Sequence, residues 1–214
     1  MGEAESVSLT VGTAAEMHAL GRSLATALRA GDLVILSGGL GAGKTTLTQG
    51  IGEGLGVRGP VTSPTFVIAR VHPPAPATTA GPGGPGGPGG TGGTGGPGGA
   101  MADLVAPRPS LVHADAYRLG SALELDDLDL DTDTASSVTV VEWGEGLAEG
   151  LAADRLEIAI AADPPPAPPA GAAAGQAGEI ADPALDMPRT VRISMVGARW
   201  EGVELPLAGP ANRL

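Results

Sequence analysis

The residues best suited to chemistry stand in one short run, Gly38-Gly39-Leu40-Gly41-Ala42-Gly43-Lys44-Thr45, which satisfies G-x-x-x-x-G-K-[ST] in full. The spacing has a mechanical reason. Glycines let the backbone curl until successive N–H groups point inward at phosphate oxygens, and a helix opening at Lys44 adds the positive end of its dipole. The Lys44 ammonium is placed to reach β- and γ-phosphates, and the Thr45 hydroxyl to ligate Mg²⁺. Lys44 is the one lysine in the chain, every other basic side chain apart from histidine being Arg. A compact ammonium on a flexible stem suits this role where a planar guanidinium does not. Such a turn is expected to hold the phosphates of a nucleotide. The competing reading, a plain glycine turn ending in a chance lysine, ignores the apolar strand before the run and the helix after it.

ATP is favoured over GTP. Guanine recognition usually employs an N-K-x-D segment, and with Asn212 the sole Asn and Lys44 the sole Lys, no such segment exists. A triphosphate site also needs acids for the metal and a group to orient the attacking water. Asp115, in His113-Ala114-Asp115-Ala116-Tyr117-Arg118-Leu119, follows the apolar pair Leu111-Val112, and Glu142 ends the run Val138–Val141. Ligands collect at the carboxyl ends of parallel strands, so both acids are candidates, although a solvated turn residue is an equal alternative for either alone.

The elements that must position these groups are readable. Val7–Val11 reads as a strand. Thr13 and Glu16 form a capping box, and Met17, Leu20, Leu24 and Leu28 recur at helical spacing until Gly31. Leu33–Ser37 is continuously apolar, as a strand covered on both faces requires. A helix is predicted from Lys44 to about Leu55, another capping box at Ser121 to Glu124, and a buried strand over Val138–Val141. Alternating strands and helices indicate an α/β class: a P-loop NTPase-like central mixed β-sheet flanked by helices.

Two stretches lack the apolar side chains to offset ordering entropy, 73–107 and 163–188; 13 of the 36 glycines lie between Gly81 and Gly99. Strand-like flanks, Phe66–Val71 with Leu111–Asp115 and Leu156–Ala161 with Thr190–Val196, make both disordered hairpin-tip insertions. A single domain over 1–205, interrupted by these insertions, and a tail over 206–214 are expected. The balance of 24 acidic against 12 basic side chains, a net charge of −12, disfavours direct nucleic-acid binding. No apolar run approaches the roughly 18 residues of a membrane span, and the absence of cysteine suits a reducing cytoplasm.

Taken in order, Gly38–Thr46, Ser63-Pro64-Thr65, His113–Leu119 and Glu142-Trp143 resemble the TsaE (YjeE) family, which combines G-D-L-G-A-G-K-T-T, S-P-T, H-x-D-x-Y-R-L and E-W. Gly39 departs from the family's usual Asp, and Ala116 from a bulkier apolar residue. The resemblance implies an ATPase using Mg²⁺ that acts with TsaB and TsaD in forming N6-threonylcarbamoyladenosine at position 37 of tRNAs reading codons that begin with A. It also implies that Gly41, Ala42, Gly43, Lys44, Thr45 and Thr46 wrap the phosphates, that Thr65 senses the γ-phosphate and metal, that Thr45, Asp115 and Glu142 surround the metal and water, and that the turn at Thr13 and Ala14 lies against adenine. Trp143, beside Glu142, is expected at the site, whereas Phe66 and Tyr117 are expected in the core and His113 as a hydrogen-bonded structural residue. A P-loop small-molecule kinase and a non-hydrolysing nucleotide sensor are the alternatives.

Overall fold

A computed structural model describes residues 5–64, 68–76, 108–119, 121–126, 135–162, 187–207 and 212–213. Among the described residues eight strands form one sheet: β1 (Glu5–Val11), β2 (Leu33–Gly38), β3 (Ala69–His72), β4 (Ser110–Asp115), β5 (Ser137–Glu142), β6 (Arg155–Ala162), β7 (Arg189–Val196) and β8 (Asn212–Arg213). Their spatial order is β3-β4-β5-β2-β6-β7-β1-β8. The centre, β4-β5-β2-β6, is parallel, and β3, β7, β1 and β8 add antiparallel edges. This is the mixed α/β sheet that the sequence predicts.

Side-chain alternation explains the layers. Val34 and Leu36 of β2 join one core with α1 (Ala14–Ala25) and α2 (Lys44–Leu55). Leu33 and Ile35 face the other way, into a smaller core with Val112, Val141, Ala148 and Leu125 of α3 (Ala122–Asp126). Both faces of β2 are covered, hence its unbroken apolar run. The helices α1 and α2 meet through small residues: a Cβ on Gly50 would collide with the His18 carbonyl and lie 3.0 Å from Gly21 Cα. That close approach holds α2, and with it Lys44, against α1.

Helix α1 begins at the expected box. Thr13 Oγ1 accepts from Glu16 N at 3.1 Å, and Glu16 Oε2 accepts from Gly12 N at 2.7 Å. It ends at Ala25, short of the predicted Leu28, because Thr26 turns its N–H and hydroxyl back on the last carbonyls. Leu28 is buried all the same.

Both predicted insertions sit between antiparallel neighbours, with His72 opposite Leu111 and Ala162 opposite Arg189. Residues 77–107 and 163–186 lie outside the described residues. The first stretch does not begin free at Pro73: Arg58 N donates to Pro73 O at 2.8 Å and Ala75 N to Gly56 O at 2.9 Å. The stretch set apart as a tail contributes β8, where Asn212 and Arg213 pair with Ser8 and Val7. Among the described residues no helix is long and apolar enough to cross a membrane.

Candidate active site

Strands β2, β4 and β5 run parallel, with Leu36 opposite Glu142 and Asp115 opposite Glu142. All three end at one edge of the sheet, where the Gly38–Thr45 loop also lies. The loop turns through left-handed conformations at Gly38 (φ 139°), Gly41 (φ 74°) and Gly43 (φ 109°), the last being the N-cap of α2 with no side-chain cap. An L-residue resists these angles, and the uncapped N–H groups of α2 are left for an anion. Gly39 is not so constrained. It lacks a positive φ, and a Cβ there meets nothing within 4 Å, so the Asp usual in the family would fit.

Lys44 is 5% exposed. Its Nζ donates to Gly38 O at 2.8 Å and Gly39 O at 2.9 Å, and sits 3.6 Å from the Trp143 ring centroid. Burial pulls its pKa below the usual lysine value, opposed by the negative charges of Glu142 and Asp115.

Glu142 is the hub. Its Oε2 accepts from Thr45 Oγ1 at 3.0 Å, and its Oε1 lies 2.8 Å from His113 Nε2. Glu142 is 3% exposed and His113 fully buried. An ionised Glu142 requires a proton on Nε2, so the imidazole is the donor. Among the described residues, His113 Nδ1 has no partner. Asp115 is half-buried; its Oδ1 accepts from Tyr117 N at 3.0 Å and its Oδ2 from Ser63 Oγ at 3.3 Å. Ser63 of Ser63-Pro64-Thr65 is thus tied to Asp115, while Thr65 and Phe66 lie outside the described residues.

Trp143 has φ 59°, the one positive value among the described non-glycine residues, at a cost of about 1–3 kcal/mol. Its N–H donates to Leu36 O at 2.8 Å. This backward turn carries the indole over Lys44 instead of onward along β5. Tyr117 corrects an expectation. It is 68% exposed and packs on Trp143, with ring centroids 5.1 Å apart, because β4 has ended two residues earlier. Thr13 is occupied in capping α1, and Met17 in the same helix lies against Gly43, 3.4 Å from where a Cβ would stand.

The oxygens here suit a hard cation: one hydroxyl and two carboxylates. Among the described residues no three His, Cys, Asp or Glu gather as a cage. Mg²⁺ binds in this manner, through one or two carboxylates with waters and phosphate oxygens completing its shell. Thr45, Glu142 and Asp115 therefore fit it.

A family model described as threonylcarbamoyl adenosine biosynthesis protein TsaE matches residues 11–79 and 102–165. The chain belongs to the TsaE family. A relative in Streptomyces coelicolor, named tRNA threonylcarbamoyladenosine biosynthesis protein TsaE, is 54% identical over 145 residues, covering 67% of this chain and 78% of that one. Proteins of the same name from Mycobacterium leprae and Bacillus subtilis are 45% and 34% identical, covering 66% and 68% of this chain and 74% and 71% of their own. The crystal structure of Bacillus subtilus YdiB superposes with a TM-score of 0.56 at 24% identity, over 94% of this chain and 93% of that one, and so shares the fold.

In this TsaE-family chain the loop, Lys44, Thr45, Thr46, Glu142, Asp115 and Trp143 lie at one edge of the sheet. The reading of His113 as a structural residue omitted its partner. The sequence carries half of the signal: residues two apart on a strand share a face, so His113 points where Asp115 points, while the parallel pairing that puts Glu142 on the next strand shows only in the fold.

Proposed function

We propose that this chain is a Mg²⁺-dependent ATPase required for forming N6-threonylcarbamoyladenosine at position 37 of tRNAs that read codons beginning with adenine, and that it acts on the TsaB–TsaD pair in the cytoplasm. The observation that carries the reading is the chain Thr45–Glu142–His113 beside a buried Lys44 at the glycine-rich turn. The relatives' printed names supply the tRNA modification.

Each side chain then has a task. Lys44 exchanges the carbonyls of Gly38 and Gly39 for phosphate oxygens, and the loop amides from Gly41 to Thr46 take the rest. When bound, Mg²⁺ neutralises charge on the β- and γ-phosphates. Thr45, Glu142 and Asp115 hold it, and Glu142 also orients the water. His113 fixes the Glu142 carboxylate in a site that excludes solvent, where an oriented charge acts most strongly. Ser63 links Asp115 to Thr65, the γ-phosphate sensor. Thr13 borders the adenine, and Trp143 shields Lys44. A net charge of −12 leaves tRNA contact to the partners.

The test is phosphate release from ATP by the full chain, alone and with TsaB and TsaD, beside Glu142→Gln. Release that rises with the pair and is lost in the variant supports the proposal. Equal release from both proteins, or none from either, favours a nucleotide sensor. Release that awaits a small acceptor favours a kinase.

A further inference from the structure

Lys44 is not alone as a cation against the phosphate loop. Arg189 opens β7, opposite Val11 on one side and Ala162 on the other, and is 6% exposed. Its guanidinium forks: Nη1 donates to Met187 O at 2.9 Å, and Nη2 lies 3.5 Å from Gly41 O. Some 148 residues separate the two ends of that second contact. No motif in the sequence connects them.

We propose that Arg189 is a positioning residue of the nucleotide site, one that sets the orientation of the Gly41–Ala42 peptide. A trans peptide is planar, with its C=O and N–H pointing opposite ways. With the Gly41 carbonyl turned out towards Arg189, Ala42 N donates across the loop to Gly39 O at 3.3 Å. That N–H is among the donors a phosphate takes up when it enters. Gly41 cannot fix this plane by itself: it sits at φ 74°, and a Cβ there would meet nothing within 4 Å. The N–H side of the peptide is held by the long bond to Gly39 O and by the buried Ala42 methyl, and the arginine fork adds the restraint on its carbonyl side. The contact also brings a buried positive charge beside the cradle, where poor screening extends its influence to a bound phosphate. A lysine would retain the charge and lose the fork.

The inference rests on the nucleotide reading, and its test separates the two. Mg·ADP is titrated calorimetrically into the full chain as wild type, Arg189→Gln and Arg189→Lys, with thermal melting of each. The expected result is affinity for wild type, roughly tenfold weaker binding for Arg189→Gln, as for one lost charge-assisted contact, and an intermediate value for Arg189→Lys. An arginine that merely supports the fold would lower the melting temperature and leave the affinity of the folded protein intact; that result overturns the proposal. Should Arg189→Gln fail to fold, Arg189→Lys decides, an affinity equal to wild type overturning the positioning role. Wild type without affinity for Mg·ADP would overturn the nucleotide reading and this inference with it.

Discussion

Replacing Lys44 by methionine should affect the empty and the nucleotide-bound protein in opposite ways. The ammonium has two carbonyl partners and an aromatic ring, yet burial still pulls its pKa below the usual lysine value of 10.5. The sign follows from proton linkage. Between the folded pKa and 10.5 the unfolded chain binds more protons than the folded one, so stability rises with pH there, and at lower pH the charge is a standing cost. Methionine fills similar space without charge, so the empty Lys44→Met protein should melt at or above the wild-type temperature. Binding should move the other way. A hydrogen bond to a charged group is worth about 1.5–3 kcal/mol. The two carbonyl bonds are given up for phosphate oxygens, and removing one partner of a buried, hydrogen-bonded charge pair costs about 2–5 kcal/mol, a loss of roughly 30- to 4,000-fold in affinity. Calorimetric titration with Mg·ATP beside thermal melts of the empty proteins reads both quantities. Wild-type affinity should also fall as pH rises through the lowered Lys44 pKa, and that of Lys44→Met should not. Unchanged affinity in the variant, or a variant several degrees less stable when empty, would refute the reasoning.

Three further outcomes are expected. Glu142→Gln keeps an acceptor for Thr45 and removes the charge, so phosphate release in the presence of TsaB and TsaD should fall by about 100-fold or more, with ADP affinity within a fewfold of wild type. His113→Leu leaves a carboxylate oxygen unpaired at a site only 3% exposed; urea denaturation should show a loss of about 1–3 kcal/mol, partly recovered by His113→Gln. Gly50→Val forces a side chain into the His18 backbone, and overpacking of this kind costs about 1–3 kcal/mol, visible as a drop of several degrees in Tm.

What could be read from the sequence was local. The apolar run Leu33–Ser37, the glycine turn and the helix after it follow one another within about two dozen residues, and each carries its own periodicity or φ requirement. The Thr13 and Glu16 box and both antiparallel flanks are of the same kind. The unread parts depend on register between distant strands. His113 meets Glu142 because β4 and β5 lie parallel with Asp115 opposite Glu142, and nothing within either strand specifies that neighbour. Tyr117 was misplaced because apolar character favours burial on average, whereas a turn just past β4 lays this ring on Trp143. β8 has two residues, too few for any alternation to show.

The central claim is that the loop of residues 38–45 grips a triphosphate with the help of a metal. Its most direct measurement is titration of the purified wild-type chain with ATP and with GTP, each with Mg²⁺ and with a chelator. One saturable site, tighter for ATP and weakened when Mg²⁺ is removed, is predicted. No binding of either nucleotide under any of these conditions would contradict it.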